Sequence, residues 1–280
     1  MALLRTAASA LLAASAVSAT GIILPLYVYP SETYGDGAAN WEPAFDAIAA
    51  SPNTQWLVVV NPASGPGATL APGNDDTNYI TGVTKLNAQT NVQTVGYVRT
   101  NYGAASTDEL QANITAWAGW SSSTDDIGVT GIFFDESSAD AFDYLSSAIT
   151  FARNAFASQK ITAICNFGVA VDASLYDICD VVVAFESALN DVSDSSLPPY
   201  EDKTTIEANI PDASYRPRAA VIVNDFVGTA TDGSEADTSL LHTYVQDAQS
   251  EDLGWLFFCS GGYDSLTTDP ITIGALAAAF

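Results

Sequence analysis

The chain has 280 residues, 48% of them hydrophobic, with 8 Lys and Arg against 33 Asp and Glu and a formal net charge of −25. That length and apolar fraction suit one large domain with a sizeable core. So acidic a surface repels nucleic acid and anionic lipid, which are bound through clustered cations, and suits either a neutral or cationic partner or an acidic medium in which many carboxylates are protonated.

Arg5, the apolar run from Ala7 to Val17 and the small residues Val17-Ser18-Ala19 stand in the order of an export signal and its cleavage site. Residues 1–19 are therefore expected to be a secretory signal peptide and 20–280 the folded domain. The run is too short to span a bilayer and no later stretch is long and apolar enough. The product is expected outside the cell or on its wall, without membrane insertion. Asn113-Ile114-Thr115 is the single N-glycosylation sequon, which fits that compartment.

The first apolar run, 21–29, carries Tyr27 and Tyr29 at its end and reads as a strand; a helical pattern over 40–51 follows. The second strand, 55–61, contains Leu57-Val58-Val59-Val60, apolar on both faces as a strand buried on both sides must be, and ends at Asn61. A long loop over 62–76 leads to a helix over 77–90. Around the third strand, 92–100, cluster Tyr97, Arg99, Thr100 and Tyr102. Ser106 and Glu109 then form a capping box ahead of Leu110, Ile114 and Trp117. The fourth strand, 129–135, contains Gly131-Ile132-Phe133-Phe134-Asp135 and is followed by Glu136. In the helix expected over 139–158, Phe142, Leu145, Ile149, Ala152 and Phe156 recur at three- and four-residue spacing and form one stripe. The fifth strand, 160–166, ends at Asn166, and only a short helix fits around 173–176. The sixth, 181–186, ends in Phe185-Glu186 and opens a second long loop, 187–215. The seventh, 219–225, ends in Asn224 and Asp225 and precedes a helix over 235–250. The eighth, 254–260, ends at Ser260, with Tyr263 and Asp264 beyond it and a last helix over 269–280.

Eight strands, each followed by a helix or a truncated one, predict an α/β fold in the form of a single (β/α)₈ TIM-type barrel. No Gly-rich dinucleotide fingerprint follows any strand, which removes the main reason to prefer an open doubly wound sheet. The long loops after strands 2 and 6 both follow strand C-termini, where barrel active sites are built. The cysteines are Cys165, Cys179 and Cys259, an odd number. Cys165 and Cys259 fall near the C-terminal ends of their strands, whereas Cys179 precedes the sixth strand and is expected near the opposite rim. A disulfide tolerates a Cα separation of only roughly 4.4–6.8 Å. Cys179 is therefore expected to pair with neither of the others, and no Cys165–Cys259 bridge is expected.

One histidine, His242, lies in the helix over 235–250, on the outer layer of a barrel. Ser-His-Asp and Cys-His nucleophile systems and histidine-rich metal sites all need a histidine at a strand end, so these chemistries are excluded and no metal or other cofactor is expected. Carboxylates remain. With a side-chain period of two, Phe133 and Asp135 share one face, as do Val182, Ala184 and Glu186, so Asp135 and Glu186 converge at the barrel mouth from strands two apart. A pair with one member ionised and the other protonated suits glycosidic cleavage, and the adjacent Glu136 pushes a neighbouring pKa upward. Tyr27, Tyr29, Asn61, Tyr97, Arg99, Asn166, Asn224, Asp225 and Tyr263 supply what a sugar needs: aromatic faces to stack on, and polar groups for its hydroxyls.

Leu24-Pro25-Leu26-Tyr27-Val28-Tyr29-Pro30, Asn61-Pro62-Ala63-Ser64-Gly65-Pro66-Gly67, Gly96-Tyr97-Val98-Arg99-Thr100, Gly131 to Glu136 and Phe185-Glu186 together resemble the spherulin-4 family of fungi and slime moulds. The similarity runs in order over nearly the whole chain after residue 19. The resemblance implies a (β/α)₈ barrel of glycoside hydrolase family 135, cleaving α-1,4-linked N-acetylgalactosamine in the exopolysaccharide galactosaminogalactan. It places the family's acidic trio on Asp135, Glu136 and Glu186. The expected function is a secreted, monomeric, endo-acting hydrolase of an amino-sugar polysaccharide. Asp135 would be nucleophile or stabilising carboxylate, Glu186 general acid/base and Glu136 a supporting acid. The alternative is a non-catalytic cell-surface or spore-coat barrel that binds glycan.

Overall fold

A computed structural model describes residues 20–157, 159–190, 197–262 and 272–280. The expected signal peptide, residues 191–196 of the second long loop, and Tyr263 with Asp264 lie outside the described residues. Eight parallel strands among the described residues close into a barrel, each paired with the next in chain order and the last with the first. They are β1 (Gly21–Leu26), β2 (Trp56–Val60), β3 (Val92–Arg99), β4 (Gly131–Asp135), β5 (Thr162–Asn166), β6 (Val181–Ala188), β7 (Ala219–Asn224) and β8 (Trp255–Phe258). Helices α1 (Glu42–Ala50), α2 (Thr77–Asn87), α3 (Thr107–Gly119), α4 (Phe142–Ala155), α5 (Ala173–Ile178), α6 (Lys203–Asn209), α7 (Thr238–Ser250) and α8 (Ile273–Ala278) alternate with them. This is the expected (β/α)₈ barrel. Among the described residues no helix is long and apolar enough to cross a membrane.

The strands form because their side chains are apolar toward both the barrel interior and the helical ring. β1 and β2 are buried at every position, and β4 is buried up to Asp135. Helix starts are marked by side-chain caps: Asp76, Ser106, Asp202 and Asp237 each accept a hydrogen bond from the first turn of α2, α3, α6 and α7. In α4 the expected stripe buries Leu145, Ile149 and Ala152, leaving Phe142 partly exposed. α3 lies against β3 at Gly96, where a Cβ would stand 2.4 Å from the Trp117 ring. Trp117 Nε1–H donates to the Tyr97 carbonyl at 2.8 Å, so the glycine lets the helix anchor the strand one residue from a site tyrosine.

The cysteine expectation is overturned: Cys165 and Cys179 form a disulfide, with Cα atoms 6.0 Å apart. The reason is the stagger of neighbouring barrel strands. Ile164 is in register with Val181 and Cys165 with Val182, so β6 begins beside the C-terminal half of β5 and not at the far rim. Cys179, which ends α5, then stands next to Cys165. Cys259 takes no part in the bridge and is buried. Two further differences concern length. β1 stops at Leu26, so Tyr27 and Tyr29 lie in the loop beyond it, and the second long loop contains α6 and a 3₁₀ segment over Ala213–Arg218.

Candidate active site

Asp135 ends β4 and Glu186 lies in β6, and both reach a cleft of about 340 Å³ at the C-terminal mouth of the barrel. Between them β5 ends in Asn166, which is buried. Asn166 Nδ2 donates one hydrogen bond to Asp135 Oδ1 and one to Glu186 Oε2, each 2.7 Å long. The facing oxygens of the two acids therefore lie within twice that length of each other. Asp135 Oδ2 accepts a second bond from the Tyr97 hydroxyl, at 2.6 Å. Tyr97 in β3 stands in register with Phe133 in β4, and its ring meets Tyr27 edge-on with centroids 5.5 Å apart.

Burial is the largest influence on both acids and raises both pKa values. For Asp135 the bonds from Tyr97 and Asn166 oppose the rise. Glu186 is pushed up to about 7, with the Asn166 bond opposing and the charge of Asp135 adding to the effect. Burial and the charge of Asp135 also lift Tyr27 and Tyr97 above the ordinary phenol value, so both remain hydroxyl donors. Asp135 thus has two donors that stabilise its charge, beside a Glu186 that keeps its proton to near-neutral pH.

Glu186 owes its position to the loop after β5. Gly168, at φ +66°, accepts from the Glu186 amide at 2.9 Å, and a Cβ there would stand 3.5 Å from Glu186 Cβ. The pairing of β6 with β7 shifts register between Val183 and Phe185, a bulge that re-aims the end of the strand. The other wall is strained. Glu136, Asn101 and Tyr102 all have φ between 49° and 55°, the left-handed region, at a cost on the order of 1–3 kcal/mol each. Thr100 holds them: its hydroxyl donates to the carbonyls of Asp135 and Glu136 at 2.9 and 2.7 Å, and the Tyr102 amide donates to the Glu136 carbonyl at 2.7 Å.

Of the residues singled out from the sequence, Asp135, Glu136, Asn166, Glu186 and Asn224 line one cleft, with Tyr97 and Tyr27 behind Asp135. Arg99 sits on the rim, its Nε–H bonded to Glu136 Oε2 at 2.8 Å. Others stand apart from the cleft. The Tyr29 hydroxyl donates to Asp76 and accepts from Asn78, both at 2.8 Å. Asn61 Oδ1 accepts from the Gly65 amide in the loop after β2. Asp225 follows β7 with φ 50°. Tyr263 lies outside the described residues. Asn113 is on α3, half-buried, its amide against Gly65. Tyr102, 66% exposed, and Phe167, Gly168 and Leu197 complete the lining. For Gly168 the Asn166-Phe167-Gly168 turn was the available signal; Leu197, inside a long loop, offered none.

The family model for Spherulation-specific family 4 matches residues 21–270. Spherulin-4 of Physarum polycephalum is 33% identical over 172 residues, covering 60% of this chain and 45% of that protein, so the match spans less than half of the relative. Among solved structures, Aspergillus clavatus Sph3 in complex with GalNAc has a TM-score of 0.73 at 24% identity, over 94% of this chain and 98% of that one. A GH18 chitinase from Pseudoalteromonas aurantia has a TM-score of 0.54 at 12% identity, over 93% and 100%. These likenesses are of fold.

Proposed function

The chain belongs to spherulation-specific family 4, and from that premise we propose that it is a secreted glycoside hydrolase using Asp135 and Glu186 as its carboxylate pair. The observation that carries the reading is the Asn166 amide shared between the two acids at 2.7 Å each. It keeps the facing oxygens no more than twice that length apart, short of the roughly 6.5–9.5 Å that leaves room for a water in inverting glycosidases and on the side of the roughly 5–5.5 Å of retaining ones.

Asp135, with its charge stabilised by Tyr97 and Asn166, attacks the anomeric carbon. Glu186 gives its proton to the glycosidic oxygen as that bond breaks. In the second half, water attacks the glycosyl–Asp135 ester, Glu186 takes the water's proton, and Asp135 leaves as a carboxylate with the anomeric configuration retained. Glu136, tied to Arg99, adds negative charge beside Asp135. Tyr102 presents a ring to the sugar at the cleft edge. No cofactor takes part.

The substrate class we propose is an α-1,4-linked N-acetylgalactosamine-containing exopolysaccharide, cut internally. The acidic, open surface suits a polymer bearing some free amines, and the structural relative Sph3 was solved with GalNAc. Residues 1–19 are proposed to direct export, and the barrel over 20–280 to work as a monomer outside the cell or on its wall. Incubation of the purified protein with galactosaminogalactan tests the reading. Soluble oligosaccharides with new reducing ends are expected; binding of the polymer without release would instead identify a glycan-binding barrel.

A further inference from the structure

A second, larger cleft of about 860 Å³ lies on the flank of the barrel, between the segment ahead of α6, the β7–α7 loop and α7. Six acids surround it: Glu201 and Asp202, then Asp232, Glu235 and Asp237, then Asp247. Three are committed locally, since Asp202 and Asp237 cap α6 and α7 and Asp232 accepts from the Ser234 amide. Among the described residues, no hydrogen bond or ion pair engages the carboxylates of Glu201, Glu235 and Asp247. Burial and the charge of Asp202 raise the pKa of Asp247, with Lys203 opposing.

The floor of this cleft is Tyr244, and it is an independent observation. Its ring is packed edge-on to Tyr200 and Phe226 and stacked on Phe258, with centroids 5.0, 6.1 and 5.8 Å away, and the residue is 3% exposed. Its hydroxyl is buried and has no hydrogen-bond partner among the described residues. Tyr244 lines the cleft together with Asp232, Asp202, Asp247 and Glu201, and after burial their charges push its pKa up to about 12. A buried hydroxyl normally finds a partner, so one without any at the floor of a cleft calls for an explanation. The rest of the lining is hydroxyl-bearing (Thr231, Ser234, Ser239 and Thr243), with Leu240 the apolar exception. Among the described residues no group of acids is close enough to hold a metal ion.

We propose that this cleft is a binding site for a protonated amino sugar, separate from the barrel mouth. Asp247 and Glu201 receive the ammonium, the Tyr244 hydroxyl accepts a hydrogen bond from it, and the surrounding hydroxyls and Glu235 meet the sugar's own hydroxyls. A neutral N-acetylated sugar has no charge for the carboxylates, so the site selects the free amine. The inference does not depend on the hydrolase reading, because binding is measured without turnover.

Calorimetric titration with a glucosamine tetramer and its fully N-acetylated counterpart, at pH 6 and low salt, tests it. The free-amine tetramer is expected to bind at least about tenfold more tightly, and Asp247→Asn to weaken it about tenfold. Tyr244→Phe, which removes only an unpartnered hydroxyl, is expected to weaken binding about threefold without lowering Tm. Asp135→Asn, which would stop hydrolysis, should leave this affinity unchanged. Equal affinity for the two tetramers, or no loss in Asp247→Asn, would overturn the site. So would an equal loss in Asp125→Asn/Asp126→Asn, an exposed acidic pair outside the cleft, because that would mean diffuse attraction to a negative surface.

Discussion

Asp135 and Glu186 accept hydrogen bonds from one and the same nitrogen, Nδ2 of Asn166, each at 2.7 Å. That nitrogen fixes their separation and lowers both pKa values against the rise caused by burial. Asn166→Ala removes the shared donor, so both pKa values should climb and the two carboxyls should drift apart. Turnover is expected to fall about 10²-fold, with the alkaline limb of the pH profile moved above that of the wild type. A kcat near the wild-type value would show that the bridge is incidental.

The pH dependence of kcat/KM should be bell-shaped. Asp135 must be ionised and Glu186 protonated in the free enzyme, and Glu186 loses its proton at about 7. Activity is thus expected to decline above pH 7, with limbs that belong to the coupled pair as much as to either residue. A flat profile from pH 6 to 9 would exclude Glu186 as the proton donor.

Stability carries the same signature with a definite sign. The Glu186 pKa is raised in the folded state, from an ordinary 4.5 to about 7, so between those values the folded protein holds a proton that the unfolded chain has lost. Folding stability therefore falls as pH rises through that window, with a slope from this group of up to about 1.4 kcal/mol per pH unit. Repulsion among the many acids slopes the same way, so the difference between wild type and Glu186→Gln isolates the group. Glu186→Gln should be more stable than wild type by on the order of 3 kcal/mol at pH 8 and about equal at pH 4. Urea titrations at the two pH values measure it.

The Cys165–Cys179 bridge closes a short loop around α5, with a sequence separation of 14. Loop-closure entropy for that length is worth about 3 kcal/mol, or a Tm change of roughly 5–10 °C in a protein of this size. Cys165→Ala/Cys179→Ala should show that loss by calorimetry. Peptide mapping of the unreduced protein should recover the two cysteines in one linked fragment.

How far the sequence was legible follows from what periodicity can convey. Alternation in Ile132-Phe133-Phe134-Asp135 tells which side chains share a face, and the sequence places the acid at a strand end, so the meeting of Asp135 and Glu186 in one cleft is legible. Alternation does not carry the stagger between strands, so it puts Cys179 at the wrong rim and leaves the bridging role of Asn166 invisible, although the position of Asn166 at a strand end is legible. α6 was hidden because its seven residues bury only Thr205 and Ile206, too few for a helical stripe. Strain at Glu136 and Tyr102 depends on hydrogen bonds from Thr100 and Tyr102 to carbonyls that become neighbours only when β3 pairs with β4.

The most direct test of the carboxylate pair is the rate of reducing-end release from galactosaminogalactan by wild type, Asp135→Asn and Glu186→Gln, all shown to be folded. Each substitution keeps shape and removes charge, so each should lower turnover by at least about 10³-fold while leaving polymer binding largely intact. Glu136→Gln should fall between these and the wild type. Near-normal turnover in either Asp135→Asn or Glu186→Gln would contradict the assignment.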